Sequence, residues 1–395
     1  MVEVESPKLT TGGPTEGGSD AIVDCLRVSV TDRCNMRCVY CVPPEGIRRA
    51  RHHDILRFEE IVTVVRFLRD HYGLRTVRLT GGDPLVRPHI VKLVEMLAQL
   101  GIGDLAMTTN GQRLSALARP LREAGVDRVN ISLDSLDGSR FARLTRGGQL
   151  DRTLAGIEAA KAAGFQPVKI NTVVLRGEND SEVCDLVRFA MAGGLEIRFL
   201  ELMAIGIAAE THGAWYVSSG EVLGRLKNEF RMVAVETVNR EQARIHIAED
   251  AQGRTARVGF ISPESQPFCA ACRRLRLTSD GRLLSCLMHS SGPDLRPFLR
   301  SGGNPPYGGY VSSAREAHNH RLEACATTEK QENYTGSTGI LPVETAKCRK
   351  KSAHLSLNTY YGGYAGLAGA VRACLARKPA VRAPSSGRLM SGIGG

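Results

Sequence analysis

Leu26-Arg-Val-Ser-Val-Thr-Asp-Arg-Cys34-Asn-Met-Arg-Cys38-Val-Tyr-Cys41 is the stretch on which the reading of this chain turns. Leu26 to Val30 has the look of a short buried strand, since its apolar and β-branched residues stop at the turn-forming Thr31 and Asp32. Directly after it, Cys34, Cys38 and Cys41 offer three thiolates from one short loop. Three thiolates can hold three irons of a four-iron cube and leave the fourth open. An open iron can take a small molecule through an amino and a carboxyl group. A zinc site would need a fourth ligand and favours CxxC pairs, and His52 and His53 are near but loosely spaced.

Working outward from the cysteines, helical periodicity at Phe58 to Tyr72 gives way to a strand at Thr76 to Leu79 and a helix at His89 to Gln99. Strands at Asp104 to Met107, Arg128 to Leu133, Val168 to Leu175 and Glu196 to Leu200 then alternate with helices near Ala116 to Ala124, Asp151 to Ala163 and Ser181 to Ala192. Strand and helix in this order predict parallel βα units with right-handed crossovers, hence an α/β fold built as an incomplete (β/α) TIM-type barrel. In such barrels the chemistry sits at the C-terminal ends of strands. The polar and glycine segments Gly81-Gly82-Asp83-Pro84, Thr108-Thr109-Asn110-Gly111, Asp134-Ser135 and Glu201-Leu202-Met203 fall there. A glycine pair at a strand end would let backbone approach a bound ligand closely.

After Ala204 the pattern changes to a helix (Ser219 to Phe230), an irregular β-rich stretch and a second cysteine group. Five segments follow: 1–20, a disordered extension; 21–204, the barrel core; 205–300, a smaller C-terminal α+β region; 303–362, a poorly ordered insertion; and 363–395, a C-terminal helix and Gly-Gly tail. The insertion is inferred from Tyr307-Gly308-Gly309-Tyr310, which recurs as Tyr361-Gly362-Gly363-Tyr364 around a segment without period. Joining its flanks restores a helix at Ala365 to Arg377.

The 395 residues are 42% hydrophobic, enough for a large core. No apolar run approaches the ~18 residues of a membrane span, and Met1 to Asp20 lacks the order of a signal peptide, so the reading is cytoplasmic and without membrane. The net charge of +11 suits an anionic partner, and with only 5% aromatic residues a small polyanion fits better than a nucleic acid. Eleven cysteines without an export signal point to metal or cluster ligation rather than disulfides.

Cys269-Ala-Ala-Cys272 and Cys286 supply another three thiolates, with His289 near enough to complete a Cys3His zinc site. Arg273-Arg274-Leu275-Arg276 lies between them and could hold a polyphosphate by bidentate bonds. Taken with the opening stretch, the segments Arg78-Leu-Thr-Gly-Gly-Asp-Pro84, Thr108-Thr-Asn-Gly111, Asn130-Ile-Ser-Leu-Asp134, Val168-Lys-Ile-Asn-Thr-Val173, Arg198-Phe-Leu-Glu-Leu-Met203, Phe268-Cys-Ala-Ala-Cys-Arg-Arg-Leu-Arg276 and the terminal Gly394-Gly395 resemble the GTP 3′,8-cyclase family, molybdenum cofactor biosynthesis protein A, of the radical SAM superfamily. The likeness runs from about Val23 to Arg300 and resumes at the tail.

That resemblance implies two 4Fe-4S clusters, one on Cys34, Cys38 and Cys41 and one on Cys269, Cys272 and Cys286. It implies S-adenosyl-L-methionine against Tyr40, Gly82, Ser132 and Met203, and GTP held by Arg27, Arg78, Thr108, Lys169, Arg274, Leu275 and Arg276. Catalytic roles fall on Cys34, Cys38, Cys41, Arg274 and Arg276. The implied reaction takes the ribose 3′ hydrogen of GTP through a 5′-deoxyadenosyl radical and joins the 3′ carbon to C8 of guanine. The implied partners are an electron donor such as flavodoxin or ferredoxin, a downstream cyclic pyranopterin monophosphate synthase, and a second copy in a homodimer. Two other readings are a radical SAM peptide maturase with an auxiliary cluster, and a non-catalytic iron–sulfur or zinc protein binding nucleic acid. The family usually has Gly-Gly-Glu-Pro where this chain has Asp83. An insertion near 311–360 could keep the tail from the active site. Cys25, Cys184, Cys325, Cys348 and Cys374 receive no role.

Overall fold

The computed structural model describes residues 22–236, 243–269, 272–289, 291–300 and 358–378. The expected extension over 1–20, most of the expected insertion over 303–362, Cys325, Cys348 and the Gly394-Gly395 tail lie outside them, and the chain from Asn358 is helical.

Six strands pair as parallel neighbours in chain order: β1 (Cys25–Ser29), β2 (Thr76–Thr80), β3 (Asp104–Thr109), β4 (Arg128–Ser132), β5 (Lys169–Val174) and β6 (Glu196–Glu201). Between them run α1 (Phe58–Tyr72), α2 (Ile90–Ala98), α3 (Leu114–Ala124), α4 (Gly138–Thr145), α5 (Leu150–Ala162) and α6 (Val183–Gly193). Local chemistry sets the ends of α1. The Glu60 carboxylate accepts from the Arg57 N–H at 2.7 Å, and Gly73 ends the helix at φ +67, where a side chain would be strained. The helix α4 has no counterpart in the periodicity reading. It starts where the Asp137 carboxylate accepts from the Arg140 N–H at 2.6 Å, and it buries Phe141, Leu144 and Thr145.

The C-terminal region adds α7 (Ala208–Trp215), α8 (Ser219–Lys227), β7 (Arg231–Ala234), β8 (Arg244–Glu249), β9 (Thr255–Ile261), β10 (Arg274–Leu277), β11 (Leu283–Leu284), α9 (Arg296–Arg300) and α10 (Asn358–Ala376). Its strands lengthen the barrel sheet at both sides, giving the order β11-β10-β1-β2-β3-β4-β5-β6-β9-β8-β7. Both β10 on β1 and β9 on β6 are parallel pairs. The order is linear, so the barrel stays open. To get from β9 to β10 the chain must travel from one side of the sheet to the other, and the connection that does so carries Cys269 and Cys272.

Along β1, β2 and β4 apolar and polar residues alternate. Leu26 and Val28 of β1, Val77 and Leu79 of β2 and Val129 and Ile131 of β4 are buried in the core. The alternate residues Arg27, Arg78, Arg128 and Asn130 line an interior cavity. A period of two therefore sends apolar side chains to the core and polar ones inward to the cavity. Among the described residues no helix is long and apolar enough to cross a membrane.

Phe260 of β9 is buried against Phe199 of β6, ring centroids 6.2 Å apart, and against the edge of His246 at 5.3 Å. If the C-terminal strands are structural members of the barrel, Phe260→Ala lowers the stability of the whole described chain by about 3–5 kcal/mol. A denaturant melt of the apoprotein followed by near- and far-UV signals should give one coincident, shifted transition.

Candidate active site

A cavity of about 740 Å³ runs along the inside of the open barrel. At one end lie Cys34, Cys38 and Cys41, on the loop that leaves the C-terminal end of β1. At the other end lie Cys272, just ahead of β10, and Cys269. Strand β11 runs antiparallel to β10 and returns Cys286 to that same end. The rule of strand C-terminal ends thus holds for the first cysteine group and not for the second. Strands of five residues separate the two groups, roughly 15 Å of rise.

The first group is held by its neighbours. The Cys41 N–H donates to the Cys38 carbonyl at 2.9 Å, closing a turn, while Arg37 and Val39 N–H groups donate to Thr145 and Leu144 of α4 at 2.8 and 2.9 Å. Sulfur Sγ of Cys34 accepts from the Met36 N–H at 3.4 Å and from the Asn110 amide at 3.6 Å. Burial and the Asp83 carboxylate push the Cys34 thiol up to about 11. Burial and Cys34 push Cys41 up to about 12. Three thiols so placed ionise together only with a cation, and N–H donors on sulfur suit an iron cluster, so the donor set fits one. Among the described residues no three His, Cys, Asp or Glu side chains close on a single ion. His52 and His53 are exposed, and neither they nor His289 are among the cavity-lining residues. The His289 ring is engaged by the Ser285 hydroxyl at 2.7 Å.

Gly82 joins this loop to β2. A side-chain carbon on Gly82 would lie 2.2 Å from the Arg33 carbonyl oxygen, and on Gly81 2.7 Å from that of Thr31. The Gly82 and Asp83 N–H groups donate to those two carbonyls, each at 2.8 Å. The glycine pair is therefore required by the approach of the cysteine loop itself. The shorter carboxylate of Asp83 is fully used: it accepts from Leu85 N–H at 2.9 Å, the Thr109 hydroxyl at 2.8 Å and Asn110 N–H at 2.7 Å.

Across the middle of the cavity run cations in register. Arg276 pairs with Arg27, Arg27 with Arg78, Arg78 with Ala106 and Ala106 with Arg128. Burial, then Arg276, Arg274 and Arg78, hold Arg27 well below its ordinary value. Burial brings Arg78 down to about 10, and burial with Arg274 does the same to Arg276. On the facing strands the cations are tethered. Buried Glu196 binds Lys169 at 3.3 Å and Arg198 at 2.6 Å, and Asp104 holds Arg128 through a bidentate bridge.

In the second group the Cys272 N–H donates to the Cys269 carbonyl at 3.1 Å. Burial raises the Cys272 thiol, but Arg274 and Lys378 outweigh it and bring it below its ordinary value. The Arg274 guanidinium lies 5.0 Å from the Phe268 ring centre. Unlike the first group, this one has its positive charge built in, and it too fits a cluster.

The cavity gathers Cys34, Cys38, Cys41, Tyr40, Gly82, Ser132, Met203, Arg27, Arg78, Thr108, Lys169, Arg274, Arg276, Cys269, Cys272 and Cys286. Leu275 is the exception. Alternation along β10 turns its side chain into the core opposite Leu26, leaving only its backbone near the cavity. Sequence reasoning placed Asp134 and Glu201 at strand ends without a role and gave none to Arg128, Arg198, Lys378 and Cys25, and all six line the cavity. Arg128, Arg198 and Cys25 carried a signal, the period of two along their strands. The Tyr40 hydroxyl donates to the Asp134 carboxylate at 2.7 Å. Glu201 accepts from Ser219, Glu264 and Ser265 N–H groups at 2.8, 3.0 and 2.9 Å and so sets the start of the connection to Cys269.

Two outcomes are expected. Gly82→Ala should displace the loop of Cys34 and lower the iron and sulfide taken up on reconstitution, while the melting transition persists. Burial raises Asp134 to about 6, from an ordinary carboxyl value near 4. A raised folded value means that stability is full below about pH 4 and is lost as pH rises toward about 6. Asp134→Asn should therefore gain on the order of 2–3 kcal/mol relative to the parent across that window. Denaturant midpoints of the apoprotein at stepped pH check it, and parallel profiles would contradict it.

Residues 28–190 match the Radical SAM superfamily, and residues 195–307 match the family described as Molybdenum Cofactor Synthesis C. The GTP 3′,8-cyclase of Pseudomonas putida is 47% identical over 287 residues, 72% of this chain and 84% of that one. GTP 3′,8-cyclase 1 of Pseudomonas aeruginosa is 48% identical over 285 residues, 72% and 85% of the two chains. Among solved structures, Streptococcus suis SuiB bound to S-adenosylmethionine aligns with a TM-score of 0.49 and 17% identity, over 72% of this chain and 63% of that one. Identity near one half across most of both chains settles the kinship: the chain belongs to the GTP 3′,8-cyclase family of radical SAM enzymes.

Proposed function

We propose that this chain cyclises GTP to (8S)-3′,8-cyclo-7,8-dihydroguanosine 5′-triphosphate, the first step of molybdenum cofactor biosynthesis. The observation that carries the reading is one cavity with a three-cysteine group at each end and the in-register guanidiniums of Arg276, Arg27 and Arg78 between them. Cys34, Cys38 and Cys41 would hold the first 4Fe-4S cluster, and Tyr40, Gly82, Ser132 and Met203 the S-adenosyl-L-methionine on its open iron. Bound together, cluster and cofactor supply a carbon radical able to take a hydrogen atom.

The chain's own residues do the rest. Arg27, Arg78, Lys169, Arg274 and Arg276 would bind the triphosphate by charge-assisted bonds, with Thr108 and the Leu275 backbone beside them. Guanidiniums crowded in the apo cavity gain most when a polyanion arrives, because the anion relieves their repulsion. Cys269, Cys272 and Cys286 would hold a second 4Fe-4S cluster whose open iron takes the guanine base, fixing C8 near the ribose 3′ carbon. The wall of β1 and β2, buried on its outer face by Leu26, Val28, Val77 and Leu79, keeps bulk water from that side. Family membership also supports a flavodoxin- or ferredoxin-type electron donor, transfer of product to cyclic pyranopterin monophosphate synthase, a homodimer and a cytoplasmic setting.

Anaerobically reconstituted chain mixed with GTP, S-adenosyl-L-methionine and dithionite should form 5′-deoxyadenosine and a cyclised GTP product together. Deoxyadenosine formed equally without GTP, and no cyclised product, would refute the reading. Arg276→Met should weaken GTP binding by about 10-fold or more, the worth of one charge-assisted bond. Cys286→Ala should keep slow cleavage of S-adenosyl-L-methionine and lose cyclisation.

A further inference from the structure

The C-terminal helix reaches the second cysteine group through one side chain. Helix α10 buries Leu367, Ala370, Val371 and Cys374, spaced three and four apart on one face. Its seat is fixed in two places. The Cys374 thiol donates to the Leu283 carbonyl at 3.4 Å, and Gly366 meets the Phe298 ring so closely that a side-chain carbon there would lie 2.3 Å from it. Just past the helix, the Lys378 ammonium donates to the Cys272 carbonyl at 2.7 Å and to the Arg274 carbonyl at 2.8 Å, and sits 3.9 Å from the Cys272 sulfur.

An ammonium with three donors is thus satisfied by two carbonyls on either side of Arg273 and by a thiol. It bends the chain between a cysteine of the second group and the first residue of β10. The carbonyl between them, that of Arg273, accepts from the N–H of Asp24, the residue just ahead of β1, at 2.9 Å. The ammonium bond holds the Arg274 backbone, from which its guanidinium projects over the Phe268 ring inside the cavity.

We propose that Lys378 is a positioning residue for the second cluster. It locks the Cys272–Arg274 turn so that Cys272 and Arg274 keep fixed directions, and it offsets the negative charge of the Cys272 thiolate when that sulfur binds iron. This inference rests on the reading of Cys269, Cys272 and Cys286 as cluster ligands. It gives the C-terminal helix a part in the site that does not depend on the Gly394-Gly395 tail.

The test uses the full chain with Cys34, Cys38 and Cys41 all replaced by Ala, so that only the second cluster can form. Iron, labile sulfide, the rate of iron loss to a chelator and the midpoint potential by electron paramagnetic resonance are measured for Lys378, Lys378→Arg, Lys378→Gln and Lys378→Met. Melting curves of the apo forms report folding separately. The expected order of iron loss is Met fastest, then Gln, then Arg near the parent. The Met variant should release iron about 10-fold faster or more, as for outer-shell partners of metal ligands, with a lower midpoint potential once the nearby positive charge is gone. Met and Gln variants that load iron, release it and titrate like the parent would overturn the role of Lys378 while leaving the cluster reading intact. A parent that takes up no iron would overturn both.

Discussion

Three guanidiniums in register on neighbouring strands, Arg276, Arg27 and Arg78, set the terms for everything around them. Adjacent strands lie about 4.8 Å apart, and like charges directly opposite each other repel. A barrel with such an inner face cannot shrink onto a dry core, as barrels lined by branched apolar residues do. Among the described residues the sheet ends in β11 on one side and β7 on the other, and its apolar packing lies on the outer face. There, Leu26, Val28, Val77 and Leu79 belong to the same continuous apolar core as Ile61, Val65 and Leu68 of α1. Strand alternation is the device that lets one five-residue segment serve a core on one side and a cationic cavity on the other.

The C-terminal region completes the wall that the barrel core leaves open. Parallel pairing of β10 on β1 places Arg274 and Arg276 beside Arg27, and parallel pairing of β9 on β6 anchors the other side. The connection between them carries Cys269 and Cys272, with Glu201 fixing its start and Lys378 its end. The first cysteine group is secured differently, by close backbone packing of Gly81 and Gly82 and by α4. Backbone contact tolerates no added atom, whereas a salt-like contact tolerates a similar cation. The two groups should therefore differ in which substitutions they accept.

The order of strands and helices from β1 to β6, α4 excepted, was legible because most of the helices show an apolar period and each strand has a turn at its end. Phe58 to Tyr72 matched α1 residue for residue. The cysteine spacing was legible for a chemical reason, since three thiolates without a fourth is an uncommon count. The pairing of β10 with β1 was not, because no local pattern reports which strands meet across such a separation in sequence. Arg128 and Arg198 were missed where alternation could have revealed them, and the same alternation would have set Leu275 apart from Arg274 and Arg276. Helix α4 is only eight residues long, too short for its period to stand out, although Asp137 is a fair start signal. Asp83 read as a small departure from a pattern. Its three accepted hydrogen bonds show a carboxylate whose length suits the gap between β2 and the Thr109–Asn110 turn.

The two sides of the cavity are charged in different ways, and the difference bears on how a nucleotide would lie. Lys169 and Arg198 share the buried Glu196, and Arg128 is held by Asp104, so their positions are fixed from behind. Along β10, β1 and β2 burial is the main cause that lowers the guanidiniums, with Arg276, Arg274 and Arg78 lowering Arg27 further, Arg274 lowering Arg276, and Arg128 and Arg198 lowering Arg78. An anion approaching the second wall gains both attraction and relief of repulsion, while at the first wall it meets donors already partly neutralised. On the proposed reading the phosphate charge concentrates against Arg27, Arg78, Arg274 and Arg276, with Lys169 reaching it from the tethered side. That division leaves the base free to reach the cysteines at one end of the cavity while the ribose faces the other, which is the orientation that a reaction between a sugar carbon and its own base requires.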